Sequence, residues 1–285
     1  MGRQKMKSLI LALATAATLS AASVPDHLGL QLYSLRVMAL QQGWHAVLDQ
    51  TRAFGLAYVE GGSPPKGLTA EQYKAELAAR GLTMVSAGFP YEGLAKDISA
   101  AVSGARALGV GYVMCAWIPH KDDTFTDDDA RKAAADFNAW GAAFKAAGIR
   151  FAYHAHGYEF RPDKNGDTPF DVLVRSTNPD SVSFEMDVFW VTHGGQDPVK
   201  LLAKYPDRWV MMHVKDIRKW APTGIYTGHA PATDDVAVGS GQVDWPKVFR
   251  EAQAVGVRWY FIEDESLTPL QNVPQSIAYI RSLKP

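Results

Sequence analysis

Short runs rich in β-branched and aromatic residues alternate with amphipathic runs at helical spacing, and the alternation repeats eight times. The runs that read as strands are residues 28–33, 57–60, 84–88, 112–117, 151–156, 182–187, 209–213 and 259–264. Helical patterns fall between and after them, at 44–54, 69–80, 95–108, 127–147, 170–176, 198–204, 245–255 and 275–283. Gly55, Gly81, Gly109, Gly148 and Gly256 stand where a helix C-cap would hand the chain to the next strand. Eight βα units in succession imply an α/β chain whose parallel sheet closes on itself, a (β/α)8 TIM barrel. A doubly wound open sheet is the alternative, but no Gly-rich phosphate loop follows the first strand.

Residues 24–285 are enough for one such barrel as a single domain, and no linker or composition shift divides them. The segment before them has a different character. Arg3, Lys5 and Lys7 precede an uncharged run over 8–23 that ends in small residues, the pattern of a secretory signal peptide. A periplasmic or secreted protein is therefore expected. The apolar run is too short to span a bilayer, so no stable membrane insertion is expected. One cysteine, Cys115, makes no internal disulfide, and the fold must rest on its core. A formal net charge of -1 leaves no electrostatic footprint for nucleic acid. Self-association into a homo-oligomer is left open.

Two connections are longer than the rest, 161–168 and 217–243, and both follow strands. In a barrel they roof the C-terminal face. Strand side chains alternate, so parity decides which polar residues share that face. His154 and His156 share one on the fifth strand, and Glu185 and Asp187 on the sixth. Met211, His213 and Lys215 share one on the seventh, and Phe261, Glu263 and Glu265 on the eighth. Each polar residue follows apolar ones, so four neighbouring strands deliver an imidazole or carboxylate to one rim. Mixed His and carboxylate donors suit one divalent ion, Mn²⁺, Mg²⁺, Zn²⁺ or Co²⁺. Taken singly, each has a plain structural reading as a hydrogen-bonded core histidine or one half of an ion pair. Convergence on one rim favours a site.

The motifs that carry a family likeness are Tyr153-His154-Ala155-His156-Gly157-Tyr158-Glu159-Phe160, the segment 29–35 (GLQLYSL), 184–190 (FEMDVFW), 194–198 (GGQDP), His213-Val214-Lys215-Asp216, 238–241 (VGSG) and Ile262-Glu263-Asp264. With them the chain resembles the sugar phosphate isomerase/epimerase superfamily, the xylose-isomerase-like barrels that also include endonuclease IV. The likeness runs over essentially all of 24–285. It implies one divalent metal held from strands five to eight, with Asp187, His213 and Glu263 as ligands. On the fifth strand His154 stands where many members place a glutamate. Either His154 replaces that carboxylate or Glu159 curls back to supply it.

The chemistry implied is proton removal next to a carbonyl through an enediolate. Glu263, His156, Glu159 and Lys215 are the candidate proton-transfer groups, and Gln31, Glu60, Trp117 and Trp190 the candidate substrate contacts. Tyr33 and Phe89 offer further aromatic faces. Export and the lack of an Arg or Lys cluster favour an unphosphorylated sugar or keto-sugar over a phosphorylated one. The expected activity is isomerisation or epimerisation. The alternatives are a keto-glycoside lyase or dehydratase acting by β-elimination, and a non-catalytic sugar-binding barrel. Endonuclease activity is disfavoured by the charge and by Trp190, which occupies the place of one of the extra zinc-binding histidines of that branch.

Overall fold

The computed structural model describes residues 24–121 and 124–283. The expected signal peptide lies outside the described residues. Eight parallel strands form the barrel: β1 (Leu28–Gln31), β2 (Tyr58–Gly61), β3 (Thr83–Gly88), β4 (Tyr112–Cys115), β5 (Arg150–His154), β6 (Val182–Asp187), β7 (Trp209–Val214) and β10 (Trp259–Ile262). Each pairs in parallel with its neighbours in chain order, and β10 closes the ring against β1. The closed (β/α)8 barrel expected from the alternation is the fold observed. Between β7 and β10 the long connection carries a two-stranded antiparallel ribbon, β8 (Asp216–Ile217) with β9 (Asp235–Val236).

The barrel interior is packed with Val85, Met114, Ala152, Val210, Met211 and Phe261, and Tyr58, Tyr112 and Trp259 pack against them. Gly29 makes room for this filling. A Cβ there would lie 2.7 Å from the Tyr58 carbonyl oxygen and 2.9 Å from the Phe261 ring, so β1 contributes backbone where Phe261 contributes bulk. The opposite strand faces carry Phe151, Tyr153, Phe184 and Trp209 into a second, larger core beneath the helices, where they meet Phe137, Phe144 and Phe170. This is the layering that a parallel sheet covered by helices requires.

The helices are α1 (Arg36–Gln42), α2 (Trp44–Ala53), α3 (Ala70–Ala79), α4 (Tyr91–Lys96), α5 (Ile98–Leu108), α6 (Asp127–Ala146), α7 (Pro169–Ser176), α8 (Val188–His193), α9 (Pro198–Lys204), α10 (Trp245–Ala254) and α11 (Pro269–Ser282). Thr69, Thr126 and Thr168 each close a capping box with the third residue of the helix that follows. The five glycines read as helix stops all have positive φ. Three features depart from the expected pattern. The helix expected over 95–108 is broken at Asp97, which caps α5 through the Ala100 N–H. α11 begins at Pro269 rather than 275, carrying Pro274 inside it. α1 and α8 are extra short helices, α8 directly after β6 and α1 after a 3-10 turn at Leu32–Leu35 that follows β1. No helix among the described residues is long and apolar enough to cross a membrane.

Candidate active site and metal centre

The site is assembled by register. In the ladders His154 pairs with Glu185, and Asp187 pairs with His213, which in turn pairs with Phe261 two residues before Glu263. The C-terminal ends of β5, β6 and β7 are therefore level, with Glu263 directly past β10. His154, Asp187 and His213 each present one donor atom within 4.8 Å of one another, and all three are buried. Asp187 Oδ2 lies 3.6 Å from His213 Nδ1 and 3.9 Å from His154 Nε2. Glu263 Oε2 joins at His213 Nδ1, 3.2 Å away.

Asp187 shows how the sequence builds this corner. It ends β6 and caps α8, and its Oδ1 accepts the Trp190 N–H at 2.9 Å. Its Oδ2 is buried with no hydrogen-bond partner and points into the His154–His213 corner. An unsatisfied carboxylate oxygen at that depth is costly unless a cation completes it. Donors sharing an ion at ~2.1 Å stand roughly 3–3.5 Å apart, close to the separations here. The residues present thus fit a divalent ion held by His154, Asp187, His213 and Glu263.

A second group of buried carboxylates stands behind the histidines. His154 Nδ1 is 3.1 Å from Glu185 Oε2, and His213 Nε2 is 2.6 Å from Glu60 Oε1. Gln31 donates to the same Glu60 oxygen at 2.7 Å. Glu60, Glu185 and His213 also lie close enough to suggest an ion between them. The 2.6 Å approach is a hydrogen bond, however, and is too short for two ligands of one ion. The local demand for positive charge is visible at His213. Burial opposes its protonation, yet Glu185, Glu263 and Glu60 together outweigh burial and push its pKa well above the ordinary value. Burial, then Glu60, push the Glu185 carboxyl up, against the pull of the two histidines.

Lys215 is buried beside Glu263 and Glu265, with Nζ 3.2 Å from Glu263 Oε2, and lies over the Trp190 and Phe189 rings. Burial opposes its charge, but Glu263, Asp187, Glu265 and Asp235 prevail and hold it protonated. Burial likewise works against charge on Glu263, where Lys215 and His213 outweigh it and keep the group a carboxylate. His156 is the converse case: burial first, then His154 and Lys215, depress its pKa well below the ordinary value. Its ring stacks on Trp190 at 4.7 Å and meets the edge of Trp117 at 5.4 Å. The result is a neutral imidazole whose Nδ1 has no partner.

Above these groups opens a cavity of about 570 Å³, lined among others by Gln31, Tyr33, Trp117, His154, His156, Trp190, His213, His229, Glu263 and Glu265. Of the expected substrate contacts, Gln31, Trp117 and Trp190 stand in this wall. Glu60 does not; it is fully buried behind His213. Glu159 is also elsewhere. Its Oε1 accepts the Tyr153 hydroxyl at 2.7 Å and the His156 N–H at 2.9 Å, which directs it into the core under the helices. Because Tyr153 has the opposite parity to His154, a carboxylate bonded to its hydroxyl is on the outer side of the strand. The fifth-strand donor to the cluster is His154. Phe89 packs against the large core and is absent from the cavity wall. Glu185 was legible from parity with Asp187. His229 and Asp235 come from the long connection, where no periodicity marks which residues turn inward.

The family model for xylose isomerase-like TIM barrels matches residues 48–283. Among solved structures, a sugar phosphate isomerase/epimerase from Parabacteroides distasonis superposes with a TM-score of 0.72 at 25% identity, covering 93% of this chain and 96% of that one. A zinc-bound structure of the IolI protein superposes at 0.67 with 13% identity, covering 90% of this chain and 95% of that one, a likeness of fold. Among curated proteins, the inosose dehydratase of Lacticaseibacillus casei is 26% identical over 148 residues, 50% of this chain and 49% of that protein. The chain thus spans about half the length of the curated relatives it matches. With the closed barrel and the match over most of its length, the chain belongs to the xylose isomerase-like TIM barrel family.

Proposed function

We propose that this protein is an exported, metal-dependent enzyme that removes a proton next to the carbonyl of an unphosphorylated sugar or keto-sugar, as an isomerase or epimerase does. The observation that carries this reading is the convergence of His154, Asp187, His213 and Glu263 around a buried, unpartnered carboxylate oxygen. A divalent cation held there would act as a Lewis acid toward the substrate's carbonyl oxygen. The zinc carried by the IolI protein is consistent with that assignment.

The chain's own groups supply the proton chemistry. Neutral His156, whose ring lines the cavity, accepts the proton from the carbon next to the carbonyl. Lys215, held as an ammonium between Glu263 and Glu265, keeps Glu263 ionised and sets positive charge behind the developing enediolate. Trp117 and Trp190 offer flat faces to a sugar ring, and Gln31 a polar edge. No Arg or Lys is among the residues lining the cavity, and Glu263 and Glu265 would repel a phosphate. The basic and then apolar N-terminus supports a periplasmic or secreted location, where unphosphorylated sugars are the available substrates.

Return of the proton to the neighbouring carbon isomerises the sugar, and return to the opposite face epimerises it. Departure of a β-substituent with a proton instead gives elimination. That second reading, a dehydratase or keto-glycoside lyase, is favoured by the inosose dehydratases among the relatives. Solvent deuterium exchange into a panel of ketoses and 3-keto-glycosides tests both. Exchange without loss of substrate supports isomerisation, and an unsaturated product supports elimination. Glu263→Gln is expected to abolish exchange with the fold intact, whereas the exposed Glu71→Gln leaves it unchanged. A fully metallated sample that exchanges none of the panel removes the proposal.

A further inference from the structure

The two histidines of the cluster differ from lone ligands in one respect: each has its far ring nitrogen against a fully buried carboxylate from another strand. His154 Nδ1 lies 3.1 Å from Glu185 Oε2, and His213 Nε2 lies 2.6 Å from Glu60 Oε1. Glu185 reaches both rings, its Oε1 being 3.6 Å from His213 Nε2. Neither carboxylate stands in the cavity wall, so neither has a role in touching substrate. A carboxylate only accepts hydrogen bonds, and a ring nitrogen that donates to it cannot also be a ligand. The pairing therefore fixes each tautomer, with His154 Nε2 and His213 Nδ1 turned to Asp187 Oδ2. Gln31, whose amide donates to Glu60 at 2.7 Å, holds the second pair in place from β1.

We infer that Glu185 and Glu60 are positioning residues for the metal centre, orienting His154 and His213 and making them better donors. This inference rests on the reading that the cluster holds a divalent cation. Outer carboxylates of this kind contribute about 10- to 100-fold to metal affinity. Their cost falls on the metal-free protein, in which two fully buried carboxylates, each with one oxygen lacking any hydrogen bond, must be accommodated.

That opposition in sign separates a positioning role from a structural one. Cobalt(II) is titrated into the metal-free full-length protein and followed by its visible spectrum and by competition with a chelator. For Glu185→Gln, and separately for Glu60→Gln, the expected result is a 10- to 100-fold loss of cobalt affinity. The melting temperature of the metal-free variant is expected to be equal to or above that of the parent. Parental affinity in both variants overturns the inference, as does a fall in the metal-free melting temperature that accounts for the loss of binding. If Glu185→Gln fails to fold, Glu60→Gln, on a different strand, decides. A parent protein that binds no cobalt overturns the cation reading itself, a result distinct from tight binding that the variants leave unchanged.

Discussion

His154 and Glu159 are five residues apart and equivalent candidates for one ligand position in the sequence; strand parity places the first, and the turn after the strand places the second. His154 shares its face with Ala152, which fills the barrel, and so reaches the rim beside Asp187. Glu159 sits in a short turn after the strand, where the Tyr153 hydroxyl and the His156 N–H share its Oε1 and Tyr153 also meets the Tyr158 hydroxyl at 2.8 Å. Two substitutions should then behave oppositely. His154→Ala is expected to lower cobalt affinity by at least 100-fold, since it removes a direct ligand. Glu159→Gln, which keeps an acceptor for the hydroxyl and the amide, should leave affinity within about twofold while costing ~1 kcal/mol of stability through a weaker buried network. Titration of both variants with cobalt checks this, and the reverse ranking would return the ligand role to Glu159. Parity made His154 legible in the sequence, whereas the course of Glu159 depended on a turn and a hydroxyl partner that no local pattern encodes.

Among the elements, the connection after β7 is the one whose structure the sequence concealed most. The eight strands were readable because each is a short, largely apolar run with a polar end, five of them following a helix-stopping glycine. The 217–243 segment is rich in Gly, Pro, Thr and Asp and has no periodicity, so its ribbon and the inward turn of His229 emerge only from tertiary contacts. One buried side chain organises it. Asp216 accepts the N–H groups of Ile217, Gly239 and Gly241 at 2.9, 2.9 and 3.1 Å, and the Trp245 indole N–H at 2.9 Å. Gly241 is needed for this, because a Cβ there would lie 2.3 Å from the Ile217 carbonyl oxygen. Asp216→Ala leaves these donors without their acceptor, and a loss of ~3 kcal/mol is expected. Since Gly228, His229 and Ala230 line the cavity, the variant should also raise KM more than it lowers metal affinity. Limited proteolysis should cut first within 217–243. Parental protease resistance together with parental KM would mean that Asp216 does not hold the connection closed.

For the molecule as a whole, the closed barrel provides the stability and the rim draws on it. Phe261, Met211, Met114 and their neighbours fill the interior, while directly above them Glu60, Glu185, Asp187 and Glu263 are brought out of water within a few ångströms of one another. Buried carboxylates at this density destabilise the native state unless positive charge meets them. Lys215 supplies part of that charge, and without metal the carboxylates around His213 outweigh its burial and push it toward protonation, a proton that leaves Nδ1 when that nitrogen binds an ion. A divalent ion would supply the rest, and because the donors come from four strands that are adjacent only in the folded barrel, it would bind the native state and not the unfolded chain. Native-only binding stabilises by RT ln(1 + [L]/Kd), about 2.7 kcal/mol at a hundredfold excess over Kd. For a domain of this size that corresponds to a rise in Tm of roughly 5–10 °C. Zinc, manganese or cobalt added to metal-free protein should therefore raise Tm by this amount, and a chelator should reverse it. Asp187→Asn should abolish the shift, because it weakens the one donor whose oxygen has no other partner. A Tm that is the same with saturating metal and with chelator would remove the cation from this rim and leave the four carboxylates without the charge their burial requires.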